Sequence, residues 1–294
     1  MQRPPTIDMF STALYSTWIL VEEYGLLIDA GDGVSAMLAQ RTGKVHHVFV
    51  THADRDHVTG LLQLVQLRPR PNDPPSIHYP KDCGSFPALA EFSRKFDPQI
   101  QTPPDWIGVE DGDRISLGKN RFIIAIRNEH ILVADGVAKS LSYLLVEERR
   151  RLKPEFRQLP QTEIARLSAE QGQEAITETF DHQLVGFSGD TPGGDYEHWR
   201  EVDVLIHEAT FLSATDDDYE KPVHSALGDV LKMAADVKPK RLILAHFSTR
   251  YDQDEVMSAV AKGIEAAAIK FPVHVVGPGE LVFDVLRQSP INSS

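Results

Sequence analysis

A single cysteine, Cys83, among 294 residues excludes an intramolecular disulfide and any thiolate-rich structural zinc site, so a bound metal has to be held by His, Asp and Glu. No run of about 18 apolar residues occurs, and Met1-Gln2-Arg3-Pro4-Pro5 lacks the charged-then-apolar order of a signal peptide. A cytoplasmic chain with no membrane partner is expected. Basic residues are scarce beside acidic ones, 30 against 43, giving a formal charge of −13. That sign disfavours a protein whose affinity would come from phosphate neutralisation across its surface. Two local basic groups remain, Arg149-Arg150-Arg151 with Lys153 and Arg68 with Arg70, and such runs are usually solvated faces. Internal repeats and low-complexity linkers are missing as well, so one domain spanning 1–294 is the expectation.

What the chain does have is a crowd of ligands. Thr51-His52-Ala53-Asp54-Arg55-Asp56-His57 packs four oxygen and nitrogen donors into six residues, directly after the hydrophobic run Val45 to Val50. Imidazole and carboxylate are the donors that zinc, iron and manganese accept in hydrolytic sites. The β-branched run reads as a buried strand and Val58 to Leu67 as a helix, which puts the ligands on a strand-to-helix turn. Ligands collect at the carboxyl ends of strands in layered α/β folds. A solvated turn capped by Asp56 is the bland alternative, but it leaves two His flanking two Asp unexplained.

The same arrangement recurs further on. Strands are expected at 18–22, 25–29, 122–126, 141–146, 184–187, 204–206, 242–244 and 273–276, with helices at 34–40, 86–96, 226–237 and 253–267. Early strands come in adjacent pairs and later ones alternate with helices, which suggests two packed sheets with helices outside. Residues 68–84 and 97–114, rich in Pro, Asp and Gly, read as surface loops, and 147–182 as a polar insertion with a helix at Gln161 to Gln171. At strand ends stand His130, Asp190, Glu208 and His246, the placement expected of residues that build one site from several elements. Asp29 and Asp32, flanking Gly31, fit a turn and supporting hydrogen bonds better than direct metal binding. His78, His182, His198 and His274 read as ordinary surface or packing residues.

These motifs, His52-Ala53-Asp54-Arg55-Asp56-His57, Ser188-Gly189-Asp190-Thr191, His207-Glu208-Ala209-Thr210-Phe211, His224-Ser225-Ala226 and His246 to Tyr251, resemble those of the metallo-β-lactamase superfamily, and within it the tRNase Z-like phosphodiesterases. The resemblance runs from about residue 10 to about 285 in the family's motif order. It implies a four-layer αββα sandwich holding two divalent metal ions, zinc by precedent, with manganese or iron as alternatives. His52, Asp54, His130 and Asp190 would bind one ion, and Asp56, His57, Asp190 and His246 the other, with a hydroxide between them as nucleophile. His224 would protonate the leaving oxygen, Glu208 would orient it, and Arg250 would clamp phosphate. The implied substrate is a phosphodiester, either RNA cut at a 3′ end or a cyclic nucleotide, with a homodimer as the implied assembly. An acyl hydrolase on the same fold, and a binding protein with an impaired site, are the readings from other classes.

Two departures bear on these expectations. Typical members carry His where this chain has Asp54, so an extra negative charge enters the site and favours manganese or iron more than an imidazole-rich site does. The tRNA-gripping arm of tRNase Z enzymes, rich in Gly, Pro and basic residues, branches from the region spanning 147–182 here. After Arg149-Arg150-Arg151 that region is rich in Gln and Glu.

Overall fold

The structure, a computed structural model, describes residues 3–67, 73–194, 196–214 and 223–292. Hydrophobic strands alternate with amphipathic helices along the first half: β1 (Ile7–Thr12), β2 (Ser16–Val21), β3 (Leu26–Ile28), α1 (Val34–Leu38), β4 (His47–Phe49), α2 (Arg55–Val58), α3 (Leu61–Leu67), β5 (Ser76–Pro80), α4 (Ser85–Phe96) and β6 (Trp106–Val109). The second half runs β7 (Arg114–Gly118), β8 (Arg121–Arg127), β9 (Leu141–Leu152), α5 (Gln161–Gln171), α6 (Gln173–Ile176), β10 (Thr177–Phe187), β11 (Val204–Glu208), α7 (Leu227–Val237), β12 (Leu242–Ala245), α8 (Gln253–Ala266), β13 (Val273–Val275) and β14 (Leu281–Val282). They form two seven-stranded sheets, ordered β14-β1-β2-β3-β4-β5-β6 and β13-β12-β11-β10-β9-β8-β7.

Three apolar layers hold these sheets and their helices together. Between the sheets, Ile28 and Phe49 of the first meet Tyr143, Phe187 and Ile206 of the second. On the outer face of the first sheet, Leu27 and Val48 pack with Val34, Leu61 and Phe86 of the helices. On the outer face of the second, Leu205, Leu242 and Leu244 pack with Val230, Leu231, Val256 and Val260 of α7 and α8. Each such side chain removed from water contributes roughly 1.5–3 kcal/mol, so the four-layer αββα order follows from burying both faces of each sheet.

The carboxyl ends of the key strands meet on one edge. β3 and β4 run parallel in the first sheet, as do β10, β11 and β12 in the second, and β8 shares their direction because it is twice antiparallel through β9. A bridge between Thr12 and Phe247 ties the two sheets together at that edge.

The expected loops need correction. Within 68–84 lies β5 and within 97–114 lies β6, with Ile77 and Val109 buried; each gains a parallel partner, which outweighs the nearby proline and aspartate. The helix expected at 58–67 is broken at Gly60, where a Cβ would sit 2.2 Å from the Gly31 carbonyl oxygen. In 147–182 the helix at Gln161–Gln171 is present, but β9 and β10 extend well past the core on either side of it as a paired hairpin. His78 and His274 are buried, and His182 sits 2.8 Å from Asp203. Arg68 and Arg70 lie outside the described residues. No described helix is long and apolar enough to cross a membrane.

Candidate metal centre

The run after β4 delivers His52 and Asp54 on its extended part and Asp56 with His57 on the first turn of α2. From the second sheet come His130 after β8, Asp190 after β10, Glu208 at the end of β11 and His246 directly after β12. Asp29 and His246 hold left-handed backbone, φ 56° and 60°, and such strain persists where the surroundings over-determine it. Gly31 permits this crowding, since a Cβ there would lie 2.2 Å from the Asp56 carbonyl oxygen and 2.6 Å from the Thr17 nitrogen.

Asp190 stands at the middle. Its Oδ2 is 3.7 Å from His52 Nε2 and 3.4 Å from His57 Nε2, and its Oδ1 is 3.4 Å from His246 Nε2. On one side Asp54 Oδ2 lies 3.5 Å from His52 Nε2 and 3.6 Å from His130 Nε2. On the other, Asp56 Oδ2 lies 3.5 Å from His57 Nε2 and 3.6 Å from His246 Nε2. The structure therefore brings together all seven expected ligands as two groups, His52-Asp54-His130 and Asp56-His57-His246, sharing Asp190.

The outer nitrogens explain why the inner ones are available. His57 Nδ1 lies 2.7 Å from Asp29 Oδ2 and His130 Nδ1 2.7 Å from the Val223 carbonyl; both partners only accept, so each Nδ1 carries the proton. His52 Nδ1 and His246 Nδ1 each lie 3.0 Å from a threonine hydroxyl, Thr51 and Thr210. Those hydroxyls donate onward, Thr51 to Asp29 at 2.9 Å and Thr210 to Glu208 at 2.5 Å, so they accept from the rings. With Nδ1 so engaged, each Nε2 faces carboxylates, and a neutral ring offers a lone pair there. For His52, His57 and His246 that nitrogen is buried with no hydrogen-bond partner.

Buried Nε2 atoms without a hydrogen-bond partner among the described residues, set against carboxylate oxygens, are a donor set that a cation would satisfy. Separations of 3.4–3.7 Å are too long for hydrogen bonds yet suit ligand atoms around a cation bound at about 2.0–2.2 Å. The residues fit divalent metal ions. Electrostatics marks the same pairing: His130 and His52 hold the carboxyl of Asp54 well below the usual range, and the facing histidines do so for Asp56 and Asp190 against burial. In return Asp190 with Asp29 lifts the pKa of His57, and Asp54 that of His130, again against burial. Burial, helped by neighbouring His57, pushes His52 towards the neutral form that a metal requires.

Beside this cluster stands a second device. Glu208, buried, accepts from the Thr191 N–H at 2.6 Å, from Thr210 and from His224 Nδ1 at 3.1 Å. Burial opposes the charged form of His224, but Glu208 and then Asp190 outweigh it and lift its pKa to about 9. His224 Nδ1 is also 3.8 Å from Asp190 Oδ2. Arg250 is not brought into the cluster; its guanidinium lies over the Phe211 ring at 5.5 Å, and that ring meets His224 edge-on at 6.3 Å, so Arg250 stands on the rim. The sequence reading gave Thr51 and Thr210 no role, although each flanks a candidate site residue within its motif, Thr51-His52 and Glu208-Ala209-Thr210.

The sequence model of the metallo-β-lactamase superfamily matches residues 12–127 of this chain, the part that carries β2 to β8 and the run from His52 to His57. Its sequence is similar to that of ribonuclease Z. It is 29% identical over 257 residues to ribonuclease Z of Geobacillus kaustophilus, covering 80% of this chain and 82% of the relative. The chloroplastic tRNase Z TRZ2 of Arabidopsis thaliana is 27% identical over 265 residues, covering 87% of this chain and 71% of the relative. The short form of human tRNase Z shares the fold, with a TM-score of 0.60 and 19% identity over 94% of this chain and 98% of that one.

Proposed function

We propose that this chain is a two-metal phosphodiesterase of ribonuclease Z type. The observation that carries the reading is the His224–Glu208 pair set beside the cluster that shares Asp190, 3.8 Å from His224. Divalent ions held by His52, Asp54 and His130 on one side and Asp56, His57 and His246 on the other, with Asp190 common to both, would lower the pKa of water and offset charge on phosphoryl oxygens. Zinc suits the imidazoles, and the two outer aspartates extend the choice to manganese and iron.

The protein's own groups do the rest. His224, protonated at neutral pH and partly exposed, gives its proton to the leaving oxygen, and Glu208 fixes its orientation and stabilises its charge. An acyl hydrolase does not need that dedicated acid. Arg250, on the rim beside Phe211, approaches a phosphate of the substrate.

RNA cleaved at a 3′ end is the leading substrate, by similarity to ribonuclease Z. A cyclic nucleotide is the second, favoured by the hairpin of β9 and β10, where Arg149, Arg150 and Arg151 already face Glu147, Glu174 and Glu178 at 2.6, 3.3 and 2.8 Å. Turnover of precursor tRNA against 3′,5′-cyclic nucleotides, each with added zinc or manganese, separates them. Cleavage of neither, nor of bis-p-nitrophenyl phosphate, would remove the phosphodiesterase reading. A homodimer and a cytoplasmic location accompany this proposal; light scattering of the purified chain tests the first and cell fractionation the second.

A further inference from the structure

We propose that Leu14 and Tyr15, on the turn between β1 and β2, form a stacking platform for a nucleobase joined to the scissile phosphodiester. The proposal rests on the phosphodiesterase reading and adds a base-binding subsite to it.

Three observations carry it. The first is position: the Leu14 N–H donates to Asp56 Oδ2 at 3.1 Å, so this turn touches a candidate metal ligand directly. The neighbouring Ala13 N–H reaches the carbonyl of Phe247, the residue after His246, at 3.4 Å. The second is exposure. Leu14 is 86% and Tyr15 64% exposed, so neither side chain contributes to the core. Single exposed apolar residues are ordinary, but adjacent ones fixed to a metal ligand are not explained by that background. Leu132, 80% exposed, stands two residues after His130.

The third observation is strain. Leu14 holds φ 69°, a left-handed conformation that a bulky residue adopts only at a cost and that glycine would adopt freely. Folding gains nothing from a leucine side chain there. The hydrogen bond to Asp56 and the Tyr15 N–H to Thr12 carbonyl bond at 3.1 Å hold the turn in place, presenting both side chains to solvent beside the ligands.

The chemistry of the partner follows from charge. Away from the metal cluster, a net −13 and arm arginines that face glutamates leave the surface little charge with which to hold the rest of a nucleotide. A neutral aromatic ring meets instead the part of a nucleotide that carries no charge. Stacking of a base on an aromatic side chain is worth about tenfold or more in affinity and tolerates any base.

Thymidine 5′-(p-nitrophenyl phosphate) and methyl p-nitrophenyl phosphate test this, since they share a leaving group and differ in the nucleoside. In Tyr15→Ala the ratio of their kcat/KM values should fall about tenfold, and Tyr15→Phe, which keeps the ring, should restore it. Calorimetric binding of thymidine 5′-monophosphate to the metal-loaded protein should weaken by a similar factor, with methyl phosphate as the reference ligand. An unchanged ratio and unchanged nucleotide affinity in Tyr15→Ala would overturn the platform, as would equal losses for both esters. If the wild-type chain cleaves neither ester, the phosphodiesterase reading fails, and the binding comparison still decides whether Tyr15 holds a base.

Discussion

Two regions of this molecule are dense in charge, and they dispose of it in opposite ways. On the β9–β10 hairpin each arginine of the run 149–151 has a glutamate within 2.6–3.3 Å, so the charges cancel at the surface. At the strand ends the carboxylates of Asp54, Asp56 and Asp190 face imidazole Nε2 atoms at 3.4–3.7 Å, beyond the usual hydrogen-bond length. The first arrangement is complete as it stands, while the second leaves buried Nε2 atoms that a cation would satisfy. Ionic composition alone does not separate a site from a solvated face; what separates them is whether the partners satisfy one another.

The largest effect expected from breaking this contrast comes at its centre. Asp190→Asn removes the ligand common to both groups, and kcat/KM for bis-p-nitrophenyl phosphate should drop by about 10³-fold or more, with metal content falling in parallel. Full activity in that variant would show that the cluster is a polar core and no more.

His78 gives the scaffold's counterpart: an imidazole stacked on Phe49 at 4.2 Å, hydrogen-bonded to Ser76, with no carboxylate among the causes of its shift. Burial, reinforced by His47, depresses its pKa to about 4 from 6.5. The folded state then binds fewer protons than the unfolded one, so this contribution is whole above pH 6.5 and is lost as pH falls from 6.5 to 4. The loss amounts to about 3 kcal/mol at most. Urea unfolding at pH 7 and pH 4.5 should show a smaller acid loss in His78→Gln than in the wild type, and equal losses would exclude His78 as the source.

His224→Ala should slow phosphodiester cleavage by about 10²-fold while metal content is retained, because this residue adjoins the cluster without being among its expected ligands. Loss of metal in this variant would reassign His224 as a ligand. Thr210→Val, which takes away the acceptor of His246 Nδ1 and a donor to Glu208, should weaken metal binding by about tenfold by calorimetry, with Thr210→Ser restoring it. The smallest change belongs to the arm: Arg150→Ala and Arg151→Ala should each alter stability by under about 1 kcal/mol and precursor tRNA cleavage by under about threefold. A tenfold loss of tRNA cleavage alone would mean the hairpin grips RNA despite its pairing.

Much of the site was legible in the sequence because its ligands sit in short motifs at the ends of hydrophobic strands, His52 to His57 after β4 and Asp190 after β10. The layered fold followed from paired early strands and alternating later ones. β5 and β6 were illegible because Asp and Pro residues around Ser76–Pro80 and Trp106–Val109 mask short strands that parallel neighbours stabilise. The outer halves of β9 and β10 were missed for another reason: Glu147 to Leu152 and Thr177 to Gln183 are largely polar, and only mutual pairing makes them strands. Thr51 and Thr210 escaped because a hydroxyl between an imidazole and a buried carboxylate is a relation of three residues, visible once the fold brings Asp29 to His57 and Glu208 to His224.

Metal stoichiometry tests the central claim most directly. Elemental analysis of the purified chain, incubated with zinc or manganese and freed of excess, should find two ions per chain in the wild type and fewer than one in Asp190→Asn. Fewer than one ion in the wild type after both incubations would contradict a two-metal centre.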